Sequence, residues 1–157
     1  MKGTTMRTRL LAATLLWLGC GGPLGPISGG ALSGEVKPAP SDWSFVDDVE
    51  QVQLETNPGE PHSVNTWIGA SGGALYLPTS MIRGPMLPTE RAWVRNVEAD
   101  DRIRLRVGED VYELRAERVL DATEAETARA ALVTKYALGA DDMDPEREIW
   151  IFRLESR

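Results

Sequence analysis

The hexapeptide Arg102-Ile103-Arg104-Leu105-Arg106-Val107 alternates charge and hydrocarbon without a break, and it constrains the chain more than any other stretch. Side chains repeating every two residues fall on opposite faces of a strand, whereas a helix would scatter them around its axis. Three arginines therefore point one way and Ile103, Leu105 and Val107 the other, which describes a strand with one solvated face. Just ahead of it, Thr89 is placed to cap a short helix running through Glu90. In that helix Trp93, Val94 and Val97 share one side, and Arg91, Arg95 and Glu98 take the rest. Between this helix and an earlier strand at Ala74 to Leu77 lies a polar loop, Thr79 to Pro88. Its Thr79, Ser80 and Arg83 are groups of the kind that hold an anion. No acid, base or nucleophile motif accompanies them.

The same logic extends in both directions. Val49 to Thr56 places Val52 and Leu54 on one face and ends at the turn Asn57-Pro58-Gly59. His62 to Gly69 alternates again, and Ala70-Ser71-Gly72-Gly73 turns the chain into Ala74 to Leu77, so three successive strands are expected to form an antiparallel meander. After Gly108-Glu109-Asp110 a hairpin partner follows at Val111 to Glu117, with Tyr112, Leu114 and Ala116 inward. Its Glu113 and Glu117 are expected to pair with the three arginines, which argues against a basic binding stripe. Thr123-Glu124-Ala125-Glu126 fits a capping box for a second helix with Ala125, Ala128, Leu132, Val133 and Tyr136 on one face and Gly139 at its end. Asp141-Asp142-Met143-Asp144 lacks the ligand spacing of a calcium loop and reads as a solvated acidic turn, so no metal site is expected. Ile149 to Leu154 is apolar on both faces, as in a central strand covered on both sides. Six strands with two helices make a mainly β, α+β domain over residues 42–157, an antiparallel barrel.

The N-terminus is of another kind. Lys2, Arg7 and Arg9 precede an apolar run, Leu10 to Leu18, of about nine residues, half of what a membrane-spanning helix needs. Residues 1–19 read as an export signal. The chain's only cysteine, Cys20, follows at once and precedes Gly21-Gly22, a position that resembles a bacterial lipobox, with Trp17 where leucine is usual. That resemblance implies a diacylglycerol on Cys20, cleavage in front of it, and a membrane-anchored lipoprotein of the bacterial envelope facing the periplasm or exterior. A lone cysteine also excludes disulfides within the chain. Residues 20–41 are rich in Gly, Pro, Ser and Ala and read as a flexible tether with a span of roughly 25 Å. Removing Lys2, Arg7 and Arg9 with the signal takes the formal charge from -7 to -10. So acidic a protein repels phosphate backbones, and nucleic acid is not an expected partner.

The order of elements, with Thr89-Glu90-Arg91-Ala92-Trp93-Val94-Arg95-Asn96 ahead of the arginine strand, resembles the split β-barrel nitroreductase family and the related pyridoxamine-phosphate oxidase-like barrels. The resemblance covers roughly Val49 to Arg118. It implies a flavin mononucleotide or deazaflavin cofactor, with Thr79, Ser80, Arg83, Trp93 and Asn96 as the residues that would bind it. It also implies a homodimer, for which an exposed Trp43 or Trp67 would suit the interface. The family's basic first turn is replaced here by Asn57-Pro58-Gly59-Glu60-Pro61, which carries a carboxylate and no cation. Trp67 and Tyr76 are placed to line a ring slot, although strand aromatics are more often core. His62, the only histidine, reads as a solvated turn residue. Two readings stay open: an oxidoreductase in which a flavin-like cofactor supplies the chemistry, and a cofactor-free binding or structural lipoprotein built on the same fold.

Overall fold

A computed structural model of the protein describes residues 21–157, and the expected export signal and the expected lipidation site, Cys20, lie outside the described residues. Among the described residues, eight strands and two α-helices follow one another: β1 (Glu35–Lys37), β2 (Val52–Thr56), β3 (His62–Thr66), β4 (Gly69–Ser71), β5 (Ala74–Pro78), α1 (Ala92–Ala99), β6 (Arg102–Val107), β7 (Asp110–Arg118), α2 (Ala122–Lys135) and β8 (Ile151–Ser156). The sheet runs β3-β2-β6-β7-β8-β5-β4, with β1 added in parallel beside β7 and every other pair antiparallel.

Six strands were expected from the sequence, and two differences account for the eight. The stretch His62 to Gly69 is not one strand, because it breaks at Trp67-Ile68 into β3 and β4. β3 pairs with β2 at one edge of the sheet and β4 pairs with β5 at the other, so the expected meander does not form. Both edges are thus consecutive pieces of one segment, and this curls the sheet into an open barrel. Residues from α2 replace the missing ladder at the break. The Ile68 amide donates to the Tyr136 hydroxyl at 3.0 Å, and Lys135 Nζ donates to the Ile68 carbonyl at 2.8 Å. Both backbone groups of Ile68 thus find partners at the end of a distant helix.

The second difference is β1. The segment read as a tether lies on the sheet over residues 21–37 rather than free of it. Val36 pairs with Val111, Gly29 exchanges two backbone bonds of 2.8 Å with Ser63, and Leu32 is buried. Its small residues allow close backbone approach: a Cβ on Gly21 would collide with the Ala31 carbonyl. Hydrogen bonding holds this segment where composition offered no core.

Alternation places the apolar faces as the sequence suggests. Leu54, Leu75, Leu77, Ile103, Leu105 and Leu114 fill the barrel with Phe152 and Trp93, while Tyr76, Met81 and Ile151 face the other way under Ala128 and Leu132 of α2. β8 lies between β7 and β5 and is covered on both faces, as expected of its all-apolar start. α1 turns Trp93, Val94 and Val97 inward, but Thr89 does not cap it. Thr89 falls in a 3-10 turn at Pro88–Glu90, and Arg91, in extended backbone, precedes the first helical residue. α2 is capped by Asp121, whose carboxylate accepts the Glu124 amide at 2.8 Å, ahead of the expected box. It ends before Gly139: Ala137 takes the left-handed position (φ 49°) and the Leu138 amide bonds back to Val133.

The arginine face is neutralised, though by other partners than expected. Arg102 pairs with Asp100 and Arg104 with Glu55, while Arg106 donates to the Ser33 carbonyl. Glu113 and Glu117 pair instead with Arg157 and Arg153. In the acidic turn, Asp142 and Asp144 accept the amides of Gly139 and Glu146. Trp43 is buried against Phe45 and Tyr112, so it offers no surface for an interface.

Candidate functional site

Where β5 ends, the chain leaves the sheet for the loop 79–91, and the break between β3 and β4 stands opposite. Between them opens a cavity of about 310 Å³, at the small end of the range for ligand sites. Asn65, Thr66 and Trp67 form one wall and Thr79 to Arg83 the other, with Gln51 and Arg91 at the sides. Trp67 is held rigid by Tyr136, their rings stacked at 4.1 Å and 10°. Burial pushes the Tyr136 phenol above its ordinary value, so it remains a donor, bonded to the Glu50 carbonyl at 2.9 Å.

Of the residues singled out in the sequence, Thr79, Ser80 and Arg83 line this cavity together. Their hydroxyls already have partners. Thr79 Oγ1 accepts the Trp150 amide at 3.0 Å, tying the loop to the start of β8, and Ser80 Oγ donates to the Arg83 carbonyl. The Arg83 side chain is exposed. Trp93 and Asn96 do not reach the cavity. Trp93 is 3% exposed and meets Phe152 edge to face at 5.4 Å inside the barrel, and Asn96 Nδ2 donates to Thr56 Oγ1 at 3.0 Å. The inner face of a helix that plugs the barrel end cannot also face a cavity outside it. Tyr76 likewise lies under α2, with its hydroxyl on Glu124 at 3.1 Å. His62 opens β3, half-buried, and its Nδ1 is enclosed without a partner.

Arg91 is the residue that sequence reasoning passed over, as one of the solvated positions on α1. Because the helix begins one residue later, Arg91 has extended backbone and its side chain runs back to the loop, where it donates to the Arg83 carbonyl at 3.1 Å. Arg147 grips the same loop through the carbonyls of Gly84 and Pro85, at 2.9 and 2.7 Å. Burial, and then the positive charge of Arg147, push the Arg91 guanidinium below its ordinary value. Arg91 Nε is buried without a hydrogen-bond partner, and no carboxylate lies among the residues lining the cavity. A half-buried cation with an unpaired Nε is an arrangement that an anion in the cavity would stabilise.

Gly84 makes the loop possible. Its φ is +91°, and a Cβ there would strike the Arg91 guanidinium. Gly84→Ala is therefore expected to cost about 1–3 kcal/mol, from backbone strain and displacement of Arg91. Denaturant melts check this, and a loss under about 0.5 kcal/mol would mean the loop is not held in this form.

No family model matches the sequence, and no curated relative matches it. Solved structures do. A conserved hypothetical protein from Mycobacterium tuberculosis superposes with a TM-score of 0.54 at 17% identity, covering 77% of this chain and 86% of its own. An F420-H2 dependent reductase gives 0.52 at 17% identity over 80% and 100% of the two chains, and an F420 reductase gives 0.50 at 18% over 76% and 95%. The chain has the mainly antiparallel split β-barrel fold of these proteins, with two helices and a sheet that is not closed.

Proposed function

We propose that the protein is an envelope lipoprotein, anchored through Cys20, whose split barrel binds a flavin or deazaflavin nucleotide in the cavity at loop 79–91 and acts as an oxidoreductase. One observation carries the binding half. In a chain of net charge -7, the cavity is lined by Arg83 and Arg91 and by no carboxylate. The residues fit such a group: the Arg91 guanidinium, which lines the cavity, and the exposed Arg83 would meet its phosphate, and Trp67, fixed by Tyr136, offers a flat apolar wall to a ring. When bound, the cofactor supplies hydride chemistry, while this chain's part is to bind it, orient it and exclude water from one side. The fold shared with proteins described as F420 reductases supports the redox half.

The test is a titration of flavin mononucleotide and of F420 into wild type, Arg91→Ala and Arg83→Ala at low salt, where the charge contribution is visible. Losing a charged hydrogen-bond donor is expected to weaken binding by about 1.5–3 kcal/mol, roughly ten- to a hundredfold. Tight binding that both variants leave unchanged would move the phosphate site elsewhere. A wild type that binds neither ligand would leave the cofactor-free binding lipoprotein, which Glu60 in the first turn already favours over a phosphate grip at that position.

A further inference from the structure

The first described residues carry a feature that neither the barrel core nor the cavity uses. Leu24-Gly25-Pro26-Ile27 closes a tight turn through two reciprocal backbone bonds of 3.0 Å, with Gly25 at φ +56°. The two apolar residues at its ends stand in solvent, Leu24 68% and Ile27 67% exposed. The turn is not a loose end. Pro23 beside it is buried, Gln53 Nε2 reaches the Pro23 carbonyl at 3.5 Å, and Asn65 Nδ2 donates to the Gly25 carbonyl at 2.8 Å. Two polar side chains of the sheet thus hold in place a tip that water solvates poorly, and a tip so held invites an apolar partner.

The position of the turn says which partner. Leu24 is four residues from Cys20, so an extended chain puts it at most roughly 14 Å from an acyl group on that cysteine. There is no slack to add, because Gly21 and Gly22 are already seated on the body against Ala31 and Gln53. We infer that the Leu24–Ile27 turn rests in the interface of the lipid bilayer, so that the barrel lies against the membrane in one orientation instead of swinging on a tether. Asn65 both lines the cavity and holds this turn, so the candidate site sits beside the bilayer, within reach of substrates that partition into it. The inference rests on lipidation of Cys20.

Its test uses the full chain with Ile27→Cys, purified from bacterial membranes and reconstituted in vesicles of phosphatidylethanolamine and phosphatidylglycerol. Cys20 is consumed by the lipid, so a nitroxide reports position 27 alone, and Glu126→Cys on the exposed side of α2 is the reference. Radiolabelled palmitate scores the anchor separately, with Cys20→Ser as its blank. The expected result is palmitate on the protein and a nitroxide at position 27 that collides with oxygen several-fold more, and with a nickel chelate several-fold less, than the one at position 126. Palmitate present but equal collision rates at both positions would overturn the membrane-resting turn and leave the anchor intact. A wild type no more labelled than its blank would overturn both. Dipolar broadening between nitroxides would mean that a second copy of the chain covers the turn, and would equally overturn the inference.

Discussion

Trp93→Ala is expected to destabilise the protein by about 3–5 kcal/mol. The indole is 3% exposed and packs with Val94 and Val97 from α1 into the barrel, edge to face with Phe152. The helix that carries it has eight residues, too short to persist without tertiary contacts. Removing its largest contact opens a cavity and also releases the segment that follows the loop 79–91. A smaller, second effect should therefore appear at the candidate site, where Arg91 would lose its fixed position at the head of α1. Denaturant melts measure the first effect, and hydrogen exchange at the loop amides the second. A loss below about 1 kcal/mol would place this side chain at the surface, contrary to its burial here.

Arg104→Met is expected to cost a similar amount, about 3–5 kcal/mol, because it leaves a charge without its partner. Glu55 is 5% exposed, in the middle of the sheet beside β6. Its carboxylate accepts from Arg104 Nη1 at 3.1 Å and from the Leu32 amide at 2.5 Å, and the same guanidinium donates to the Leu32 carbonyl at 3.0 Å. One ion pair thus clamps both backbone groups of Leu32 and holds the N-terminal segment to the sheet. Without the guanidinium, the buried carboxylate keeps a single donor, the Leu32 amide. The double variant Glu55→Leu, Arg104→Met should recover most of the loss, since two apolar groups carry no desolvation penalty. In the double variant exchange at the Leu32 amide should still rise, because its acceptor is gone, which separates the clamp from global stability. A single variant that melts with wild type would show that water reaches Glu55 and that the N-terminal segment is held by other bonds.

Of the candidate site, the loop was legible and its grip was not. Thr79, Ser80 and Arg83 stand out by type and spacing, and the fold brings them to one cavity wall. Arg91 stands in the same stretch but was assigned to a solvated helix face, because Thr89 looked like the capping residue. The 3-10 turn at Pro88–Glu90 shifts the helix start past Arg91 and sends its side chain to the loop. A shift of two residues at a helix end is within what local signals leave open, yet it converts a solvated cation into a half-buried one beside the cavity. Trp93 and Asn96 illustrate the converse. The periodicity that puts Trp93 in the core is also what keeps it out of the cavity, and Asn96 is spent on Thr56 across the barrel.

By itself, the sequence determined which way side chains face. The alternation of Arg102 to Val107, the inward set Trp93, Val94 and Val97, and the two-sided apolar start of β8 are all local patterns set by the 2.0 and 3.6 residue repeats. Tertiary structure alone decided which strands meet and what the polar groups do. The break at Ile68 depends on the Tyr136 hydroxyl, 68 residues away, and Arg104 of β6 pairs with Glu55 across the β2 ladder instead of Glu113 across the β7 ladder, while Arg102 and Arg106 turn to Asp100 and the Ser33 carbonyl. The Gly- and Pro-rich segment became ordered through backbone bonds to Ser63 and β7. The reason is common to all three. A facing preference is a property of neighbouring residues on one chain segment, whereas hydrogen-bond partners are chosen by whichever donor or acceptor the closed fold brings within about 3 Å, and no short stretch of sequence carries that distance.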